Sequence, residues 1–294
     1  MILDSLVILL PLIFLASGGY LLSIFFRLSE STLIRIVSDF FMPALVFYSL
    51  YTSTINLSQT LKLFGVVSLI LFLLFLAAFA YCRIFKVDFK SFSPPILFMN
   101  SGFLGIPLMK LWGGIAAMNY IVIYDQIQTF YIFSLGIVIV TGGFNSAGLK
   151  EMIKSPLLWS IVAGFICKYL HIYIPEIFME MLEFSGAGAA ALATFALGVS
   201  LSKRKFQADP HLLSGLILRF VVGYIAGLVA CLVFNISGAE RTVILVASSL
   251  PSAVFSMVIP VRYGVDGRFA SSMILASSVL SIFVLPILFF LSTR

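Results

Sequence analysis

Apolar residues run along this chain in blocks of about twenty, interrupted by short clusters of charged, glycine and proline residues. A membrane-spanning helix needs roughly 20 predominantly apolar residues. Division at the interruptions predicts ten such helices, at 4-25, 32-51, 61-82, 94-112, 116-140, 156-172, 178-201, 211-234, 241-262 and 269-292. The connections are short, so no sizeable domain is expected outside the bilayer.

Composition turns this pattern into an exclusion. Of the 294 residues 61% are hydrophobic and 10% charged, with mean hydropathy +1.15 and thirty Phe, against about 45–50% apolar and about 25% charged in soluble domains. There is too little polar surface to clothe a water-soluble globule, and the expected class is an all-α polytopic membrane protein. The net charge of +6 raises nucleic acid as a partner, but the Lys and Arg residues form no aromatic-interleaved basic patch, so no nucleic acid is expected and the lipid bilayer is the predicted surrounding. Cys82, Cys167 and Cys231 are odd in number and far apart, which suits packing rather than a disulfide framework or a metal site. Met1-Ile2-Leu3-Asp4 lacks the basic start of a cleaved leader, so the first segment is expected to remain as a helix.

Orientation follows from the excess of Lys and Arg in short cytoplasmic loops. Arg27, Arg35, Arg83, Lys86, Lys90, Lys150, Lys154, Lys203, Arg204, Lys205, Arg262 and Arg268 lie on one side, twelve in all, against five on the other: Lys62, Lys110, Lys168, Arg241 and Arg294. This alternation predicts both termini outside and supports the count of ten.

Ten helices divide into two halves, 1-140 and 156-294, joined by a cytoplasmic loop at 141-155. Because five is odd, the second half enters from the opposite face, and like halves would form inverted repeats. They are alike in where they break. The fourth helix carries Asn100-Ser101-Gly102-Phe103-Leu104-Gly105-Ile106-Pro107, and the ninth carries Ser248-Ser249-Leu250-Pro251-Ser252-Ala253 with Pro260 beyond. Irregular backbone survives at membrane depth only where it is buried in protein or lines a cavity. Two interruptions at matching positions therefore point to a transporter's binding site. Half-helix ends would offer positive dipoles to an anion, and Asn100, Ser101, Ser249 and Ser252 would supply directional hydrogen bonds.

Asn-x-Gly-Phe-x-Gly-Ile-Pro at 100-107, Leu-Pro-Ser-Ala at 250-253 followed by Arg262-Tyr263-Gly264 and Asp266, Met42-Pro43-Ala44-Leu45, and Leu197-Gly198-Val199-Ser200-Leu201 together resemble the auxin efflux carrier family of membrane transporters. The resemblance covers most of the chain. It implies ten helices in two inverted five-helix repeats, with helices 4 and 9 unwound where they cross at mid-membrane. Helices 1, 2, 6 and 7 would form a scaffold, and 3-5 with 8-10 a moving transport bundle. The family's crossover asparagine falls on Asn100, its second crossover proline on Pro251 and its fifth-helix glutamine on Gln126. Plant members carry a long loop after the fifth helix, whereas about fifteen residues intervene here, so the chain looks like a compact bacterial member. Ser252 stands where plant carriers tend to have an amide residue, which points away from auxin and toward malonate, malate and other small carboxylates, the substrates of similar bacterial permeases.

From residues and resemblance together, the expected substrate contacts are Asn100, Ser101, Gly102, Gly105, Gln126, Pro251, Ser252 and Ala253, with Pro43, Pro107 and Pro260 as helix breaks. An ionisable residue inside a span is a functional hypothesis by default. Asp125, with Gln128 and Thr129 three and four residues on, offers one polar helix face, suited to ion coupling, to the substrate site, or to a structural hydrogen bond. Asp39 precedes Pro43 by one turn, which suggests a local structural or gating role. Arg219, deep in the eighth span, has the sign to attract a carboxylate substrate, but a salt bridge to an acid or an interfacial anchor is the expected role. Glu176, Glu180 and Glu183 read as a solvated face, and His171 and His211 are too isolated to hold a metal. Small residues from Gly186 to Ala193 suit close packing, within the scaffold or across a homodimer.

The leading expectation is a secondary carrier of a small organic anion in the plasma membrane, working by alternating access, with a proton or sodium ion as co-substrate or with none. No Walker A run occurs, and neither a cofactor nor enzymatic activity is expected. A cation/proton antiporter is the alternative, although it needs adjacent carboxylates at the crossing. An intramembrane enzyme using Asp39 and Asp125 lacks Gly-x-Gly-Asp, His-Glu-x-x-His and Gly-x-Ser-x-Gly sequences.

Overall fold

In a computed structural model the chain is described over residues 2-53, 55-143, 153-154 and 156-293. Most of the expected 141-155 connecting loop, including Lys150, lies outside the described residues. Helices make up the fold: α1 (Ile2–Phe26), α2 (Glu30–Thr52), α3 (Leu57–Phe85), the one-turn α4 (Phe89–Phe92) and α5 (Pro94–Leu97), α6 (Ser101–Thr141), α7 (Pro156–Tyr169), α8 (Glu176–Ser202), α9 (Leu212–Val233), α10 (Gly238–Ser248), α11 (Phe255–Arg262) and α12 (Arg268–Ser292). Seven of these, α1, α2, α3, α6, α8, α9 and α12, are long and apolar enough to cross a membrane. Their outer faces carry large exposed apolar side chains such as Phe14, Ile84, Phe184 and Leu232, a surface that only lipid solvates at low cost.

The other predicted spans take different forms. The segment at 156-172 forms the 14-residue α7, about 21 Å at 1.5 Å per residue, shorter than the roughly 30 Å hydrocarbon core. The segment at 241-262 divides into α10 and α11 on either side of an unwound stretch. The fourth and fifth predicted spans meet in α6, whose 41 residues would run about 61 Å if straight, far more than one crossing. They are separated where Gly113 and Gly114 leave helical geometry, Gly114 at φ 64, ψ −153, a conformation open to glycine and strained for other residues.

Local chemistry sets several boundaries. Asn56 and Gln59 form a reciprocal capping box that starts α3, and Lys86 ends it in the left-handed region with its N–H on the Cys82 carbonyl. Asp88 caps the next turn by accepting from the N–H groups of Lys90 and Ser91.

Helices α1, α2, α7 and α8 pack on one another through small residues. A Cβ on Gly198 would lie 1.9 Å from the Ala16 carbonyl oxygen, and one on Gly19 would lie 2.1 Å from that of Phe195, so α1 and α8 touch backbone to backbone. Gly186 of α8 meets the Leu45 backbone of α2, and Gly164 of α7 meets Leu50. The small-residue stripe thus serves packing inside the chain.

Candidate functional site

The unwound stretch between α5 and α6 crosses the one between α10 and α11. Met99 and Ser252 face each other as an antiparallel bridge. The Asn100 N–H donates to the Pro251 carbonyl at 2.8 Å, and the Ala253 N–H donates to the Phe98 carbonyl at 2.9 Å. Residues 98-100 and 251-253 therefore satisfy part of each other's backbone, as main-chain groups in hydrocarbon must be satisfied. Side chains take up the remainder. Gln128 acts as a substitute peptide for Met99: its Nε2 donates to the Met99 carbonyl at 2.6 Å and its Oε1 accepts from the Met99 N–H at 3.2 Å. Ser252 donates its hydroxyl to the Pro95 carbonyl at 2.6 Å, while its N–H donates to Ser277 Oγ at 3.0 Å. Gly105 permits the crossing, since a Cβ there would lie 2.8 Å from Leu250.

Asp125 sits beside the restarted helix. Ser101 donates to its Oδ1 at 2.7 Å and Gln126 Nε2 to its Oδ2 at 3.1 Å, so both carboxylate oxygens have donors. Gln128 Nε2 also donates to Ser101 Oγ at 3.0 Å, which links the carboxylate to the unwound backbone through a single hydroxyl. Asn100 accepts the Phe103 N–H on its Oδ1 at 3.2 Å as an N-cap. Its Nδ2 is buried and has no partner among the described residues.

A cavity of about 480 Å³ lies against this crossover. Met99, Asn100, Gly102, Asp125, Gln128, Thr129, Ala253 and Val254 border it, together with Phe103, Phe133 and Phe255. The Phe255 ring centroid is 6.5 Å from that of Phe103 and 6.2 Å from that of Phe133. Toward the exposed rim stand Arg35, Ser38, Asp39 and Lys154. The cavity thus joins an apolar wall, a polar floor and a charged mouth.

Wide π-helical turns surround the site at Val37–Phe41, Ser101–Gly105, Ile132–Gly136 and Leu218–Val222. Prolines account for two of them. Pro43 and Pro107 cannot donate backward, and the residues before them reach five positions back, Met42 N–H to the Val37 carbonyl and Ile106 N–H to that of Ser101. The first three turns each put a side chain on the cavity: Ser38 and Asp39, Gly102 and Phe103, Ile132 and Phe133.

Of the residues expected at the substrate, Asn100, Gly102 and Ala253 border the cavity, as does Asp125. Ser101, Gly105, Gln126, Pro251 and Ser252 stand behind that layer, the two serines with hydroxyls already engaged by protein groups. Pro43 and Pro107 sit at wide turns and Pro260 lies within α11. Gln128 and Thr129 reach the cavity because they share the helix face of Asp125, whereas Gln126, one residue on, points about 100° away. Arg35 and Lys154 read in sequence only as loop charges; nothing in their local pattern places them at a cavity mouth. Arg219, fully buried, does not border the cavity and donates to the Ile96 and Ser248 carbonyls. No cluster of His, Cys, Asp and Glu able to hold a metal occurs among the described residues.

Comparison with known proteins identifies the family. The sequence profile of the family described as membrane transport protein matches twice, over residues 4–145 and 144–289. An uncharacterized transporter of Methanothermobacter thermautotrophicus is 30% identical over 282 residues, covering 92% of each chain. One from Methanocaldococcus jannaschii is 28% identical over 299 residues, covering 95% of this chain and 96% of the relative. An uncharacterized transporter of Escherichia coli K12 is 24% identical over 140 residues, 48% of this chain and 44% of its own. A profile spanning nearly the whole chain, on residues that include both helix breaks, establishes that this protein belongs to the membrane transport protein family, the auxin efflux carrier family its motifs resemble.

Proposed function

We propose that the protein is a secondary carrier or facilitator that moves a small organic anion, a mono- or dicarboxylate such as malonate or malate, across the plasma membrane by elevator-type alternating access. The observation that carries this reading is the crossover floor: a buried asparagine whose Nδ2 has no acceptor among the described residues borders the cavity where a helix begins. A buried donor left unpaired costs about 1–3 kcal/mol and calls for an explanation. A carboxylate arriving at Asn100 would take that donor and would meet the positive ends of α6 and α11, whose first residues Gly102, Phe103 and Phe255 border the same space.

The two tandem family matches support reading the chain as two repeats of five crossings each, inverted because five is odd. On this reading α1, α2, α7 and α8 form the scaffold. The remaining helices, which hold the crossover and Asp125, form the moving bundle. Cytoplasmic placement of the Lys- and Arg-rich loops puts both termini outside and turns the cavity mouth, with Arg35 and Lys154, to the cytoplasm. Asp125 is the coupling residue, taking up a proton or pairing with a cation when the anion binds. A cation/proton antiporter would be favoured by adjacent carboxylates at the crossing, and among the described residues Asp125 stands alone at the cavity floor, with Asp39 at the rim.

Counterflow in proteoliposomes tests the proposal without knowledge of the driving ion. Vesicles are loaded with malonate, malate, succinate, pyruvate or indole acetate, and entry of the labelled compound is followed for wild type and Asn100→Ala. Accumulation of one carboxylate that disappears in the variant is the expected result. Exchange of none of them, with a fluorescent pH probe responding to added sodium, would replace the proposal with the antiporter.

A further inference from the structure

We infer that Arg219 is a positioning residue of the transport site: its guanidinium clamps the two broken helices together at their C-terminal ends and keeps the crossover in register, without touching the transported anion. The inference rests on the proposal that the crossover is the substrate site. Arg219 is 0% exposed, an extreme position for a residue of this charge within a membrane-spanning helix. One arm, Nη1, donates to the carbonyl of Ile96 in the single turn of α5, and the other, Nη2, donates to the carbonyl of Ser248, the last residue of α10. Both acceptors are carbonyls that a helix leaves orphaned at its end.

Four other carbonyls of the first break are taken by other groups: that of Pro94 by the Phe98 N–H, that of Pro95 by the Ser252 hydroxyl, that of Phe98 by the Ala253 N–H and that of Met99 by Gln128. Arg219 thus supplies a donor that the local backbone lacks, and supplies the matching donor to the second break at the same time. A planar fork with two diverging arms meets two carbonyls from different helices, whereas an ammonium is a point donor on a flexible stem. Gly223, one turn further along α9, leaves room for it: a Cβ there would lie 2.4 Å from the Ser248 oxygen and 2.8 Å from Arg219 Nη2.

Position decides against the competing role of counter-ion to the substrate. Arg219 is absent from the cavity lining, and both its arms are occupied by protein carbonyls. Its charge faces the negative end of α10 at the Ser248 carbonyl and the orphan carbonyl of Ile96 in the single-turn α5. The positive helix starts, at Ser101 and Phe255, remain for the cavity side.

Two variants probe the clamp by different routes. Arg219→Lys keeps the charge and loses the fork, while Gly223→Ala keeps the guanidinium and crowds it off Ser248. Register is read in protein whose Cys82, Cys167 and Cys231 have been replaced by serine, as the yield of an oxidative cross-link between Met99→Cys and Ser252→Cys. Transport is read separately, without the cysteine pair, as KM and maximal rate of labelled malonate counterflow, beside pyruvate counterflow and the unfolding temperature in detergent. The expected result is a several-fold lower cross-link yield and a malonate KM raised about tenfold in both variants, as loss of uniform binding requires, with the malonate-to-pyruvate ratio unchanged. Wild-type cross-linking in both variants would overturn the inference. So would a changed malonate-to-pyruvate ratio, which would make Arg219 a substrate ligand, or a lowered unfolding temperature and rate with KM unmoved, which would make it only structural. If wild-type protein exchanges no malonate, the substrate reading fails and the cross-link yield still decides the role of Arg219.

Discussion

Gln128→Leu removes the side chain that stands in for a peptide group at the crossover. Gln128 is 1% exposed and Met99 0% exposed, so the main-chain groups it serves are largely shielded from solvent. The Met99 N–H loses its acceptor at 3.2 Å and becomes a buried orphan donor, a cost of about 1–3 kcal/mol. The Met99 carbonyl keeps the Ser101 N–H at 2.9 Å and loses only its second donor, a net bond of about 1 kcal/mol. Leu restores apolar volume, so the expected destabilisation is the sum of these, about 2–4 kcal/mol. Gln126→Leu is the control: Gln126 donates to Asp125 Oδ2 and leaves no main-chain group unpaired when removed, and Asp125, 9% exposed and bordering the cavity, can meet water or a proton there, so it should cost less. The assay is unfolding of purified protein in detergent across a denaturant series, with carboxylate counterflow measured in parallel. Gln128→Leu should fall well below Gln126→Leu in stability and lose exchange activity. Equal stability of the two variants, with exchange intact in Gln128→Leu, would refute the view that this side chain completes the unwound backbone.

Asp125→Asn should leave carboxylate counterflow measurable while removing the dependence of net uptake on the pH gradient; net uptake that still follows the gradient in this variant would take the coupling role away from Asp125. Gly198→Ala places a methyl 1.9 Å from the Ala16 carbonyl oxygen, so α1 and α8 must separate, and a loss of about 1–3 kcal/mol of stability is expected from unfolding curves. Arg204→Gln leaves Glu30 without the guanidinium it pairs with and Ser200 Oγ without a donor, which should cost about 3 kcal/mol, with much of it recovered in Arg204→Met combined with Glu30→Gln; additive losses in the double variant would argue against a coupled pair.

Much of the site was readable as a pattern along single helices. Both breaks are marked by the residues that make them, Gly and Pro beside Asn100 and Pro251, because loss of a backbone donor or of Cβ is a local property. The polar face of Asp125, Gln128 and Thr129 is likewise local, since positions three and four apart share a side of a helix, and those three residues border the cavity. The wide turn at Val37–Phe41 follows from Pro43 in the same way. What stayed hidden depends on distant parts of the chain meeting. Arg219 and Ile96 are 123 residues apart, and nothing near Arg219 says that its partners are two carbonyls rather than a carboxylate. Ser252 looks like a substrate hydroxyl until Pro95, 157 residues away, is found to hold it.

Carboxylate exchange by Asn100→Asp bears most directly on the claim that the crossover floor is the substrate site. The substitution is nearly isosteric and keeps Oδ1, so the cap on the Phe103 N–H survives. It changes the unpartnered Nδ2 from donor to acceptor and adds negative charge where the anion is held. With expression and unfolding temperature near those of wild type, exchange of the transported carboxylate should fall by about a hundredfold or more, the scale of losing a charge-assisted hydrogen bond and gaining a repulsion. Exchange at the wild-type rate and KM in Asn100→Asp would contradict the account and place the substrate elsewhere in the cavity.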